Sequence, residues 1–254
     1  MDATELFRAG RLDEAIEAQL QAVKAHPADQ GKRLFLFELA AFAGDLDRAR
    51  RQIEALKFDE VELGAAADSY KKLLDSEQLR RRCFTEGLPP RVLGDPPEHV
   101  RLRIGAVLRL REGHTDEAAE LIARANAEAR PFAGMVNEKP VGLFRDADDL
   151  FANVLEVMAH GLYFWVALEQ VIHLSSNAPR YPRDLLYLPA RLELEGESGE
   201  VFLPALYPMS HEHADPLVRL GRATDWLGPE AGPTLGRGLL TFLVDEDGFG
   251  LLEI

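Results

Sequence analysis

Residues 34–43 read Leu-Phe-Leu-Phe-Glu-Leu-Ala-Ala-Phe-Ala, apolar everywhere but at Glu38. A helix that is apolar all round has to be covered from several directions. The flanking segments supply the cover. Leu12, Ile16, Leu20 and Val23 recur at helical spacing on one side, and Leu46, Ala49, Ile53 and Leu56 on the other. The pattern predicts a buried central helix between two amphipathic ones. A strand over 34–37 competes locally, but the length of the run and its helical neighbours argue against it.

The same region repeats. Gly10-Arg11-Leu12-Asp13-Glu14-Ala15 is echoed by Gly44-Asp45-Leu46-Asp47-Arg48-Ala49, 34 residues later. That is the period of the tetratricopeptide repeat, a helix-turn-helix unit. Ala22, Pro27 and Asp29 fit the exit of its second helix, whereas Gln19 stands where a large apolar residue is usual. Glycine suits the left-handed residue that closes a helix, and Ala15 and Ala49 allow close helix approach. Gly113-His114-Thr115-Asp116-Glu117-Ala118 is a third echo, with Thr115 as the expected N-cap. Val100, Ile104, Val107 and Leu108 mark a helix before it. Ala118, Leu121, Ile122 and Ala125 mark one after it. A longer helix is predicted over 61–84, and the proline-rich stretch 88–97 as a loop.

Residues 130–145 read as a connector, with Pro131, Gly134, Pro140 and Gly142. A helix is expected over 146–159, with Asp146 as its N-cap, Asp148 and Asp149 in its first turn, Leu150, Val154, Val157 and Met158 as its stripe, and Gly161 ending it. Strand character follows over 162–168. Ala190, Leu192 and Leu194 alternate with charged residues, a turn lies at 196–199, and the chain returns as a second strand over 201–207. A second hairpin is expected from 239–244 and 249–254. The fold class is α+β: a tetratricopeptide-like helical domain over 1–130, then a smaller domain over 131–254 with a mainly antiparallel sheet or open barrel.

A formal net charge of -14 argues against a nucleic-acid partner, because phosphate binding needs clustered cations. Arg80-Arg81-Arg82 is the one tight basic cluster and reads as a solvated helix face. The single cysteine, Cys83, allows no internal disulfide and reads as a buried helix residue. No signal peptide or membrane-spanning run is apparent, and a cytoplasmic protein is expected. His211-Glu212-His213-Ala214-Asp215 resembles a metal site most closely, yet no third ligand at metal-site spacing accompanies it, so a polar turn is the better reading. No phosphate loop, dinucleotide fingerprint, nucleophile elbow or zinc-protease motif occurs. No cofactor and no catalysis are expected.

Four motifs carry a family resemblance. They are His160-Gly161-Leu162-Tyr163-Phe164-Trp165-Val166-Ala167-Leu168-Glu169-Gln170-Val171, then Arg183-Asp184-Leu185-Leu186-Tyr187-Leu188-Pro189-Ala190-Arg191-Leu192, then Gly199-Glu200-Val201-Phe202-Leu203-Pro204-Ala205-Leu206-Tyr207-Pro208, and Leu220-Gly221-Arg222-Ala223-Thr224-Asp225-Trp226. In this order they resemble the ImpE family, the TagJ or SciE-type accessory proteins of bacterial type VI secretion. Ala167 departs from the proline of that pattern. The resemblance implies a non-enzymatic adaptor that binds the N-terminal helix of the small contractile-sheath subunit, TssB, and works alongside the ClpV-type ATPase, with neither nucleic acid nor membrane as partner. Such binding lays an amphipathic helix in an apolar groove.

Aromatic residues are the candidate anchors for that groove. Phe35, Phe37 and Tyr70 are chosen in the helical domain, and Trp165, Arg222 and Trp226 in the C-terminal domain, where Tyr163, Phe164 and Tyr187 complete an aromatic cluster divided between sheet core and interface. A ligand-responsive regulatory module, and a metal-dependent hydrolase using His211, His213 and Asp215, are the alternatives.

Overall fold

The computed structural model describes residues 1–56, the backbone of 61–66, and residues 67–130, 134–228 and 233–254. The chain opens with two helical hairpins. Helices α1 (Ala3–Arg8) and α2 (Leu12–Ala25) form the first, and α3 (Gln30–Phe42) and α4 (Leu46–Glu54) the second. The long α5 (Val61–Thr85) follows, then the short strand β1 (Arg91–Val92), then a third hairpin of α6 (Glu98–Arg111) and α7 (Thr115–Glu128).

The three glycine echoes close their helices in one way. Gly10, Gly44 and Gly113 have φ of +80°, +76° and +79°. In each case the following amide reaches back five residues: Arg11 N donates to Leu6 O, Asp45 N to Ala40 O, and His114 N to Arg109 O. This closure satisfies carbonyls that a helix end leaves without partners. The next helix is capped differently at each echo. Asp45 Oδ1 accepts from Arg48 N at 2.9 Å, whereas Arg11 and His114 make no side-chain cap. Thr115 is therefore the first helical residue and not the N-cap. Gln19 is buried and donates to Lys32 O at 2.7 Å, tying α2 to the first turn of α3.

The expected connector contains a hairpin of β2 (Gly134–Val136) and β3 (Lys139–Val141), and then β4 (Phe144–Asp146). Pro131, and the chain just beyond the expected boundary at 130, lie outside the described residues. The helix expected over 146–159 does not form. Residues 147–153 are turns, and β5 (Val154–Ala159) is a strand paired antiparallel with β6 (Leu162–Ala167). His160 and Gly161, at φ +54° and +82°, make the two-residue turn between them. Strand β5 is buried at all positions but the last, because β6 and a later strand flank it and the sheet is covered on both faces at this strand. A strand of that kind shows no alternation.

Strands β7 (Val171–Ser176), β8 (Tyr187–Leu194) and β9 (Glu197–Pro204) complete a six-stranded sheet of order β1-β6-β5-β9-β8-β7, antiparallel except where β1 lies along β6. The expected hairpin at 190–207 is β8–β9, turning at Glu195-Gly196. Short helix α8 (Pro216–Arg219) precedes a ribbon of β10 (Thr224–Leu227) and β11 (Leu235–Gly238). Strands β12 (Thr241–Val244) and β13 (Asp247–Gly250) form the last hairpin and add β4 on the other side of β12. The largest buried cluster runs through both halves, from Leu12, Phe42 and Val100 to Trp165, Leu188 and Phe242. A second one, around Phe37, Ile53 and Leu74, fills the space between α3, α4 and α5.

Candidate interaction surface

Buried arginines join the helices to the sheets. Arg80 on α5 is 5% exposed. It donates through Nε and Nη2 to the two carboxylate oxygens of Glu156 on β5, each at 2.7 Å, and through Nη2 to Leu206 O at 2.8 Å. Tyr163 donates to the same carboxylate, and Trp165 Nε1 donates to the Tyr163 hydroxyl. Burial raises the Tyr163 phenol well above its ordinary range, so the hydroxyl remains a donor. Arg103 on α6 is fully buried and donates to Asp149 O and Leu150 O at 2.6 and 3.1 Å. These contacts correct the reading of 80–82 as a solvated face. Arg80 lies in the core, and Arg81 is half-buried on Glu77 and Gly44 O. Only Arg82 is surface-paired, with Glu86.

The expected anchors divide the same way. Phe37 and Trp165 are each 1% exposed and belong to the core, so neither can meet a partner: Phe37 packs against Tyr70, and Trp165 against Phe151. Tyr70 holds Arg183, which donates to its hydroxyl and, at 2.7 Å, to Glu38 Oε1. Glu38 is the polar residue in the otherwise apolar central run. Phe35 lies edge-on to Phe7. Arg222 donates to Arg8 O and Phe7 O at 2.7 and 2.8 Å. These are the last carbonyls of α1, so Arg222 caps that helix with a cation at its negative end. Tyr163 and Tyr187 are buried, and Phe164 is half-buried.

Trp226 is the expected aromatic anchor that is exposed, at 41%, and Arg222 is exposed with it. The Trp226 ring meets Tyr207 edge-on at 5.8 Å. Leu227 beside it is exposed as well, whereas the exposed Leu217 on α8 lies over Gly10 at the α1–α2 turn. His213, with Glu212 and Asp215 on either side of it in the chain, is bonded to Asp225 at 3.1 Å. The exposed side chains of Asp225, Trp226 and Leu227 make one ridge along β10.

Three acids fix this ridge, and they are the residues read from sequence as the start of a helix. Asp148 accepts from Leu150 N and from Gly236 N on β11, both at 2.7 Å. Asp149 accepts from Thr234 N at 2.8 Å. Asp146 accepts from Asp148 N and, at 2.6 Å, from the hydroxyl of Tyr207. Burial raises the carboxyls of both Asp146 and Asp148, the latter to about 7. Gly236 is required here, because a β-carbon on it would come within 2.3 Å of the Tyr207 ring.

Among the described residues no three His, Cys, Asp or Glu side chains are grouped as a metal site. His211 packs on Gly44, and His213 Nδ1 accepts from Asp215 N at 3.1 Å. Cys83 is buried, and burial pushes its thiol up to about 12, far from a reactive thiolate. Two pockets, one beside Asp146 and Glu156 and the other beside Glu77 and His211, measure about 10 and 30 Å³. Each has room for a water molecule. No described helix is long and apolar enough to cross a membrane.

The type VI secretion system accessory component TagJ of Pseudomonas aeruginosa is 35% identical over all of this chain and 89% of its own length. This chain belongs to the ImpE family. The model of that family, described as ImpE protein, matches residues 138–254. The crystal structure of protein VPA1032 from Vibrio parahaemolyticus superposes with a TM-score of 0.88, covering 98% of this chain and 94% of that one at 23% identity. It shows that the α+β fold is shared over nearly the whole length. Arg222 and Trp226 lie in the segment that the ImpE model matches, whereas Arg80 and Arg103 lie before it.

Proposed function

We propose that this ImpE-family chain is a cytoplasmic, non-enzymatic accessory protein of type VI secretion that holds the N-terminal helix of the small contractile-sheath subunit on the ridge around Trp226. The observation that carries the reading is the full-length match to TagJ, named as an accessory component of that system. The ridge supports it with Trp226 and Leu227 as apolar contacts and Asp225, with Glu212 and Asp215 on either side of its partner His213, as an acidic border. An amphipathic helix with basic flanks suits such a surface. Sheath handling with the ClpV-type ATPase follows if the bound helix is thereby presented to it. The two halves share one core, and so the helical half contributes by holding the ridge and not as a separate groove.

Calorimetric titration with a peptide of that sheath helix tests the proposal. Micromolar binding is expected, weaker at high salt and at least tenfold weaker for Trp226→Ala. An intact protein that ignores the peptide at low salt sinks the reading.

A further inference from the structure

The six-stranded sheet ends on β7, whose outer side bonds to no other strand among the described residues. Free edges are normally blunted by lysine, proline, extreme shortness or a covering loop. Strand β7 reads Val-Ile-His-Leu-Ser-Ser, six residues without proline or a full charge, and its only irregularity is a register shift between Val171 and His173. Ile172 is 62% exposed. The opposite edge, β1, is two residues long.

We propose that a second copy of this chain pairs antiparallel with β7, joining two six-stranded sheets across a two-fold axis. A two-fold along the sheet normal keeps the core face of one copy level with the core face of the other, so paired residues must have equal parity. Centring on Leu174 pairs Leu174 with its own counterpart and His173 with Ser175, on the regular part of the strand beyond its irregularity. On the core face, Leu174 lies opposite Leu192 of β8, and the pairing extends this row as Leu192-Leu174-Leu174-Leu192 across both copies. On the solvent face, His173 is flanked by Glu193 and Ser175 by Arg191. The antiparallel arrangement then places the Glu193 end of one copy beside the Arg191 end of the other, so like charges do not meet. The chain's net charge of -14 opposes association at long range. Salt should therefore strengthen this dimer, the reverse of its effect on a basic helix at the ridge.

Light scattering and sedimentation of the full chain over a range of concentrations are the test. A mass of twice 28.3 kDa is expected, with dimer favoured by salt. His173→Lys with Ser175→Lys places like charges opposite each other across the two-fold and should give monomer, with circular dichroism unchanged because both side chains are on the solvent face. His173→Lys with Ser175→Glu places opposite charges there and should restore the dimer. A wild-type mass of 28.3 kDa at every concentration, or a dimer that survives the Lys-Lys variant, overturns the proposal.

Discussion

The imidazole of His211 occupies the position of the side chain that Gly44 lacks. A β-carbon at residue 44 would come 2.1 Å from His211 Cδ2, on a backbone already at φ +76°. One glycine thus serves two needs: it closes α3 in the left-handed region, and it lets the turn at Ser210–Glu212 seat against the helical half. Gly113 has the same conformation with nothing within 4 Å of its would-be β-carbon. Gly113→Ala should cost about 1–2 kcal/mol of backbone strain. Gly44→Ala should add about 1–3 kcal/mol for displacing His211. Urea unfolding of the two variants separates the effects, and equal losses would show that the His211 contact carries no energy.

The Arg80–Glu156 pair makes a sharper prediction. Both side chains are almost fully buried, so removal of Glu156 leaves Arg80 in the core with only the longer ion pair to Glu77 at 3.7 Å. Glu156→Ala should destabilise by about 3–5 kcal/mol. The double change Arg80→Met with Glu156→Leu should recover part of that loss, because an apolar pair of similar volume has no desolvation to repay, and Tyr163→Phe added to it should recover more, since the Tyr163 hydroxyl otherwise loses its acceptor. Chemical denaturation of the single, double and triple variants reads this directly.

Stability should depend on pH through Asp148. Its carboxyl is raised from 3.8 to about 7 in the folded chain, chiefly by burial, so the folded state holds the proton more tightly than the unfolded one. This contribution is full below pH 4 and is lost as pH rises through 7. Asp13, held low by its bond to Arg219, works in the opposite sense, and its contribution disappears as pH falls below its ordinary range. Melting temperatures from pH 4 to 8 should therefore decline towards the alkaline side. The decline should be shallower for Asp148→Asn, which cannot ionise.

Arg222→Ala should release α1. Losing two charge-assisted bonds to the Phe7 and Arg8 carbonyls at a partly exposed site should cost about 1–2 kcal/mol. Hydrogen exchange should quicken in residues 3–9 while β5 and β6 remain protected. Arg222→Lys should restore only part of the loss, since one ammonium does not reproduce the fork of a guanidinium.

The helical half was legible because its signals are local. Glycine closures, capping aspartates and the apolar run at 34–43 act within a few residues, and the structure has helices at each of those places. The hairpin at 190–207 was legible through strict alternation. The segment 146–159 was not, because Val154–Met158 is buried on both faces and its apolar positions fit a helical stripe as well as a central strand. Its acids misled for a related reason: Asp146, Asp148 and Asp149 do bond backbone amides, as caps do, but two of those amides, of Thr234 and Gly236, lie nearly ninety residues later in the chain. Arg80 was read as solvated because its partner, Glu156, is 76 residues away, beyond the reach of any local pattern. Of the six expected anchors, Trp226 stands exposed, Phe37 and Trp165 are core, and Arg222 is a helix cap, a division that depends on tertiary packing.

Arg80, Arg103 and Arg222 all grip main-chain oxygens on the far side of the seam between helices and sheets: those of Leu206, of Asp149 and Leu150, and of Phe7 and Arg8. Every amino acid carries a carbonyl. The hydrogen bonds themselves therefore ask nothing of residue identity at these five positions; Phe7, Leu150 and Leu206 answer instead to core packing, and Asp149 to its side-chain bond with Thr234. Only the guanidinium end is fixed by chemistry. Among related chains, compensating substitutions should be scarce at these main-chain contacts, in contrast to the Arg80–Glu156 pair, where both ends of the contact are side chains.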